Sequence, residues 1–188
     1  MAIALPKRRF TVFEYHKIVE AGILSEDERV ELIEGEVVAM SPIGSRHAAC
    51  VARLTALFSR IRRRGIVWVQ SPIRLGEHSE PQPDLALLRY RPDFYGGGHP
   101  GPGDVLLVVE VAETSADSGR QVKVPLYGRY GIPEVWLVDL AGDRVEVFRQ
   151  PTPAGYQNVR VVRREETLGP TFLAGAAWPV EEILGFWG

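Results

Sequence analysis

The sequence predicts an α/β protein (α+β in the mixed sense): a mixed β-sheet flanked by helices, preceded by an N-terminal helix and a β-hairpin. Three observations predict it. The run Val105–Ala112 is apolar on both faces apart from Glu110, as in a strand covered by helices on either side. A second apolar run, Val135–Asp139, follows after a stretch long enough for a crossover helix. Upstream, helical and two-residue periodicities alternate instead of repeating one pattern.

The elements read in order as follows. Residues 11–21 form a short helix, with Thr11 as N-cap, Glu14 completing a capping box and Gly22 as the stop. Ser25 to Arg29 makes a turn into Val30-Glu31-Leu32-Ile33. Glu34-Gly35 is then a hairpin turn and Glu36 to Met40 the return strand. Residues 46–64 are a long helix ended by Gly65, with Ala49, Ala52, Ala56, Leu57 and Ile61 near helical spacing. Strand follows at 66–70 and 73–75, interrupted at Pro72, and again from Asp84 to Leu88 behind Pro81-Gln82-Pro83. The Gly- and Pro-rich segment 91–103 is a loop. A helical stretch from Ser115 to Tyr130 crosses to the strand at 135–139. A last hairpin pairs 145–149 with 159–162, Asp143 lying in the turn before it, and the tail packs a short helix.

The 188 residues suit one domain, 1–188. A formal net charge of −2 gives no global reason to expect a nucleic-acid partner, since such domains are often strongly basic. The single cysteine, Cys50, excludes an intrachain disulfide. With no signal-peptide core and no apolar run of membrane-spanning length, the expected location is cytoplasmic. No Cys/His cluster for zinc, no ligand spacing among His16, His78 and His99, and no Gly-rich phosphate loop is present.

Glu110 is the most informative residue. A carboxylate inside a core strand is costly unless it is paired or binds a metal. The plainer readings are an exposed strand end or an arginine partner. Asp84 opens an apolar strand, and if the two strands are neighbours the carboxylates converge, which is how proteins usually hold Mg2+. Lys123 follows Glu110 on the next helical stretch, with Tyr127 one turn on along the same face. A lysine there could orient or deprotonate an attacking water; alternatively it is a solvated helix-face residue. Pro125 either kinks that helix or marks its first turn. His47 could approach a phosphate, but a surface histidine at a helix start is the preferred reading. Arg60, Arg62, Arg63 and Arg64 could contact a nucleic-acid backbone. Their place at a helix C-terminus, favoured by the macrodipole, is the preferred explanation. Only three of the 22 basic residues are lysines, so Lys123 is the one in mid-chain.

Together these residues resemble a known family. Pro83-Asp84, Glu110-Val111-Ala112, Lys123 with Pro125-Leu126-Tyr127, and Gly131-Ile132-Pro133-Glu134-Val135-Trp136-Leu137-Val138-Asp139 are similar to the Uma family. These are bacterial proteins classed as restriction endonucleases of the PD-(D/E)XK nuclease superfamily. Glu31-Leu32-Ile33-Glu34-Gly35-Glu36, Met40, Ser41-Pro42 and His47 share the likeness, which covers about residues 11–175. The resemblance implies a restriction-endonuclease-like core and hydrolysis of nucleic-acid phosphodiesters, DNA first, with Mg2+ or Mn2+. It implies Asp84, Glu110 and the Val111 carbonyl as metal ligands and Lys123 as the assisting lysine, taken from the helix because Ala112 stands at the superfamily's usual lysine position. Glu36 or Glu31 would add an outer carboxylate. Where the family commonly has an aspartate four residues before that lysine, this chain has Gly119, with Asp117 out of register by two. The alternative is therefore a decayed site on the same fold, acting as a nucleic-acid-binding or regulatory module; a third is an interaction protein with Glu110 merely salt-bridged. Cutting both strands suggests a homodimer. Trp178, Leu184, Phe186 and Trp187 could serve its interface, with core packing the preferred use.

Overall fold

The structure is a computed structural model that describes residues 7–25, 27–113 and 119–185. Helix α1 spans Val12–Glu20; Thr11 accepts from the Glu14 N–H and Glu14 returns the bond, completing the capping box. The hairpin β1 (Val30–Ile33) and β2 (Glu36–Ala39) turns through Glu34 and Gly35 at φ 49° and 82°. Positive φ at both central residues suits the twist of a two-residue hairpin. A Cβ at Gly35 would also meet the Arg9 Cβ at 2.5 Å, so the turn fits only glycine there.

Helix α2 (Ser45–Phe58) is shorter than its sequence suggests. Residues Ser59–Arg64 tighten into a 3₁₀ segment before strand β3 (Ile66–Val69). The expected strand at 73–75 is absent. Ile73 and Leu75 donate instead to Pro81 and Ser79 across a tight excursion, which buries both side chains without extending the sheet. Strands β4 (Leu85–Leu88) and β5 (Val105–Ala112) follow, then helix α3 (Val124–Arg129) and β6 (Glu134–Asp139). Pro125 falls in the first turn of α3, where its missing N–H costs nothing. The last hairpin, β7 (Arg144–Thr152) and β8 (Gly155–Arg163), is longer than the sequence indicates. Short strands β9 (Thr167–Leu168) and β10 (Trp178–Pro179) lead into α4 (Val180–Leu184).

The six-stranded sheet runs β3-β4-β5-β6-β7-β8 and is antiparallel except for the parallel β5–β6 pair. The helices cover both faces. Leu107, Val109 and Val111 of β5 pack with Cys50, Leu54 and Phe58 of α2 and with Ile183 and Leu184 of α4. Val108 packs on the other face with Val124, Leu126 and Tyr127 of α3. Leu184 belongs to the core and the partly buried Trp178 packs against it; Phe186 and Trp187 lie outside the described residues. Alternation along β5 therefore turns Glu110 toward α3. A parallel pair needs a long crossover, and here that crossover carries α3 across the face Glu110 points to. No helix among the described residues is long and apolar enough to cross a membrane.

Candidate active site

Asp84 stands one residue ahead of β4, and the register that pairs Leu85 with Val109 sets it opposite Glu110. Both carboxylates are buried, with 8% and 7% exposure. Asp84 Oδ2 accepts the Val111 N–H at 2.8 Å, and His47 Nε2 lies 3.0 Å from Oδ1. His47 is thus no surface residue. It projects from the first turn of α2 inward onto Asp84, and only 12% of its side chain is exposed. That hydrogen bond raises its pKa against the opposing effect of burial, and its Nδ1 has no partner among the described residues.

Glu110 accepts from the Tyr127 hydroxyl at 2.5 Å, and Lys123 Nζ lies 3.2 Å from its Oε1. Lys123 is no solvated helix-face lysine: it also meets Glu31 Oε2 at 3.0 Å and the Gln82 carbonyl at 3.3 Å. The backbone that delivers it, Gly119–Lys123, is a π-helical turn leading into α3. Such widened turns recur at functional sites. Glu31 on β1 accepts the Gln82 N–H at 2.9 Å. Pro81 and Pro83 lack an N–H, so within 81–83 only Gln82 can donate this bond. The hairpin is therefore tied to the site through Glu31. Glu36, the other candidate on that hairpin, is exposed on β2 and pairs with Lys7 at 3.2 Å, away from the cluster.

Burial pushes the Glu110 carboxyl up to about 7, with Lys123 pulling it down and Asp84 and Glu31 pushing it further up. For Lys123 burial works against the charge, but Glu110 and then Glu31 outweigh it, so its pKa is raised. Burial and then Glu110 hold the Tyr127 hydroxyl far above its ordinary range, so Tyr127 is a hydrogen-bond donor here. Glu113, which no motif or spacing singles out, packs against Gly44 at the α2 N-terminus and adds to the field on His47. Gly119 leaves little room for a side chain: a Cβ would sit 3.2 Å from Leu137 Cδ1. Asp117 lies outside the described residues.

Among the described residues no three His, Cys, Asp or Glu side chains form a metal-binding group. The donor set nonetheless fits Mg2+, which keeps several waters and takes one or two carboxylates plus phosphate oxygens. Three buried carboxylates (Asp84, Glu110, Glu31) face one ammonium, an excess of negative charge that a divalent cation offsets. Asp84 keeps acceptor capacity beyond its two bonds. Val111 turns its N–H toward β4, and a strand residue turns its carbonyl to the same side. The register sets Pro83 opposite, with no N–H to offer that carbonyl.

The class of protein is an α/β domain with a six-stranded mixed sheet, carboxylates at adjacent strand positions and a lysine delivered by the β5–β6 crossover. Its fold is similar to that of a "putative nuclease belonging to DUF820" from Anabaena variabilis ATCC 29413, at TM-score 0.72 and 17% identity, covering 93% of this chain and 97% of that one. The chain belongs to the Uma2 family, described as "Putative restriction endonuclease", whose sequence pattern matches residues 13–181. No curated protein matches it.

Proposed function

We propose that this protein is a divalent-metal-dependent endonuclease that hydrolyses DNA phosphodiesters at the Asp84–Glu110–Lys123 cluster. The observation that carries the reading is the convergence of Lys123, its side chain 14% exposed, on two buried glutamates beside a buried aspartate, from four separate segments. Asp84, Glu110 and the Val111 carbonyl would hold Mg2+ or Mn2+. When bound, the metal supplies Lewis acidity and a water of lowered pKa. Lys123 keeps its proton, so it acts as a donor: it orients the attacking water and stabilises charge developing on the phosphoryl oxygens. Glu31 and the Gln82 carbonyl fix Lys123, Tyr127 fixes Glu110, and His47 fixes Asp84. Cutting of both strands calls for two such sites, which a two-fold homodimer provides; sedimentation velocity measures it.

The test is cleavage of supercoiled and single-stranded DNA with Mg2+ or Mn2+ by wild type, Glu110→Ala and Lys123→Ala. Metal-dependent cutting lost in both variants, with the fold intact, is the expected result. Equal cutting by all three proteins would place the chemistry elsewhere. DNA binding without any cutting by wild type would select the decayed, purely binding module that Gly119 favours.

A further inference from the structure

The feature that the cleavage site does not use lies at the other end of β3. Ile66 pairs with Leu88 at that end, whereas Val69 pairs with Leu85 next to Asp84. The two ends are about 10 Å apart at ~3.3 Å per residue. A cleft of about 440 Å³ opens there, lined among others by Phe58, Arg63, Ile66, Tyr90 and Phe94.

Two properties of this cleft point to a ligand. The first is charge. Arg60, Arg63 and Arg64 are exposed and make no hydrogen bond or ion pair among the described residues. They do not complement the α2 macrodipole, because the last turn of α2 contains no basic residue. They sit beyond it on the 3₁₀ segment, where residues three apart eclipse, so Arg60 and Arg63 form one ridge. The side chain of Arg62 lies outside the described residues. Arg89 and Arg91 are engaged elsewhere, Arg89 Nε by the Gly103 carbonyl at 2.9 Å and Arg91 by Asp93.

The second is aromatic exposure at a backbone cost. Phe94 and Tyr95 occupy the left-handed region in succession, at φ 49° and 61°, which is unfavourable for bulky residues. Tyr95 is thereby buried, its ring edge-on to Trp68 and its hydroxyl donating to the Arg89 carbonyl at 2.9 Å. Phe94 is thrown outward, 58% exposed, with its ring against the 40%-exposed Tyr90. Core packing accounts for Tyr95 but not for Phe94, which the same turn leaves as a solvent-facing phenyl ring.

We propose that this cleft binds an unpaired nucleotide of single-stranded nucleic acid, the base stacking on Phe94 and Tyr90 and the neighbouring phosphates meeting Arg60, Arg63 and Arg64. Free cations beside stacking faces are the combination that single strands recognise. The inference deepens the nuclease reading by naming the form of substrate, and it rests on that reading for its biological sense. The length of β3 corresponds to about three stacked nucleotides at ~3.4 Å each, so a strand held in the cleft can also reach Asp84.

The test is fluorescence anisotropy of labelled oligothymidylate, its ribonucleotide counterpart and a labelled duplex, titrated in EDTA so that no cleavage occurs. Phe94→Ala is expected to weaken single-strand binding about fivefold or more, and Phe94→Trp to restore it. Arg60→Ala/Arg63→Ala/Arg64→Ala together are expected to weaken it at least about tenfold and to flatten the log–log salt slope by about 2, from ~0.7 per phosphate. All four side chains are exposed, so the melting temperature serves as the folding control. The tighter of the two single strands identifies the natural form. Unchanged binding in both variants, or equal loss for duplex and single strand in Phe94→Ala, overturns the proposal. Metal-dependent cutting of DNA without oligonucleotide binding would sink this inference alone; binding without cutting would sink the nuclease reading alone.

Discussion

Two buried glutamates of the same sheet, Glu110 on β5 and Glu134 on β6, differ in how their charge is met, and the difference separates a proposed functional carboxylate from a structural one. Glu134 is saturated: Trp136 Nε1 at 2.7 Å, Arg149 Nη2 at 2.8 Å and the Thr171 N–H at 2.7 Å all donate to it. Glu110 receives Tyr127 and shares Lys123 with Glu31, and like charges at Asp84 and Glu31 push against it. Burial is the same in kind; the number of donors and the sign of the neighbours differ. A saturated carboxylate ties strands to loops, whereas an undersupplied one beside other carboxylates is poised to take a cation.

The sharpest way to break this comparison is to neutralise each glutamate in turn. Glu110→Gln keeps the size and the acceptor for Tyr127 but removes the charge. Cleavage should fall on the order of 10³-fold, the scale of losing a main electrostatic group of a hydrolytic site. The melting temperature should move by less than about 3 °C, since stability changes by less than ~1 kcal/mol. Glu134→Ala should do the reverse. It strands the Trp136, Arg149 and Thr171 donors and costs roughly 3 kcal/mol, or about 6–12 °C of melting temperature, because Arg149 is partly exposed and can turn to water. Residual cleavage by folded Glu134→Ala should match wild type. If Glu110→Gln instead unfolds the protein and Glu134→Ala abolishes cutting, the two roles are exchanged.

His47 sharpens the comparison at the second level, where a residue acts through a ligand. His47→Ala leaves the Asp84 Oδ1 bond unmade, and cleavage should fall about 10–100-fold, as for other outer partners of metal ligands. The loss should shrink as Mn2+ is raised, because a misoriented Asp84 weakens metal affinity. A loss that ignores metal concentration would assign His47 to the substrate.

Much of the frame was legible because it is local. Thr11 with Glu14, Glu34-Gly35 and the apolar run around Glu110 each carry their own chemistry within a few residues. Glu110 and Asp84 were legible for a related reason: a carboxylate in or beside an apolar strand conflicts with its surroundings. Lys123 stands out by its place on the stretch after Glu110, but spacing leaves a solvated lysine open, since only the crossover of a parallel strand pair brings it back to β5. His47 was misjudged because nothing near it in sequence shows that Asp84 lies opposite. Choosing Glu31 over Glu36 needed the docking of the hairpin through the Leu32–Glu80 bridge and Gln82. Ile73 and Leu75 looked like strand because burial in a coil excursion and burial in a strand leave the same apolar pattern.

The smallest effect concerns Glu146 on β7, which lies in the same cross-strand row as Glu110, through Leu137. One turn of chain, Gly119–Lys123, sends Lys123 to Glu110 and Arg120 to Glu146, at 2.9 Å and 2.6 Å in the second case. The Arg120 hydrogen bonds lower the Glu146 pKa despite some burial, with the charges of Arg120 and Arg144 assisting. A lowered carboxyl pKa contributes stability that is present above the ordinary glutamate value of ~4.3 and is lost as pH falls through the folded value. Glu146→Gln should therefore be slightly less stable than wild type at neutral pH, and the gap should close in acid. Denaturant midpoints measured from pH 7 down through the carboxylate range check it. A gap that stays constant with pH would mean that Glu146 contributes through packing, and that Lys123, with Glu110 and Glu31, makes the ion pairs of this turn that matter.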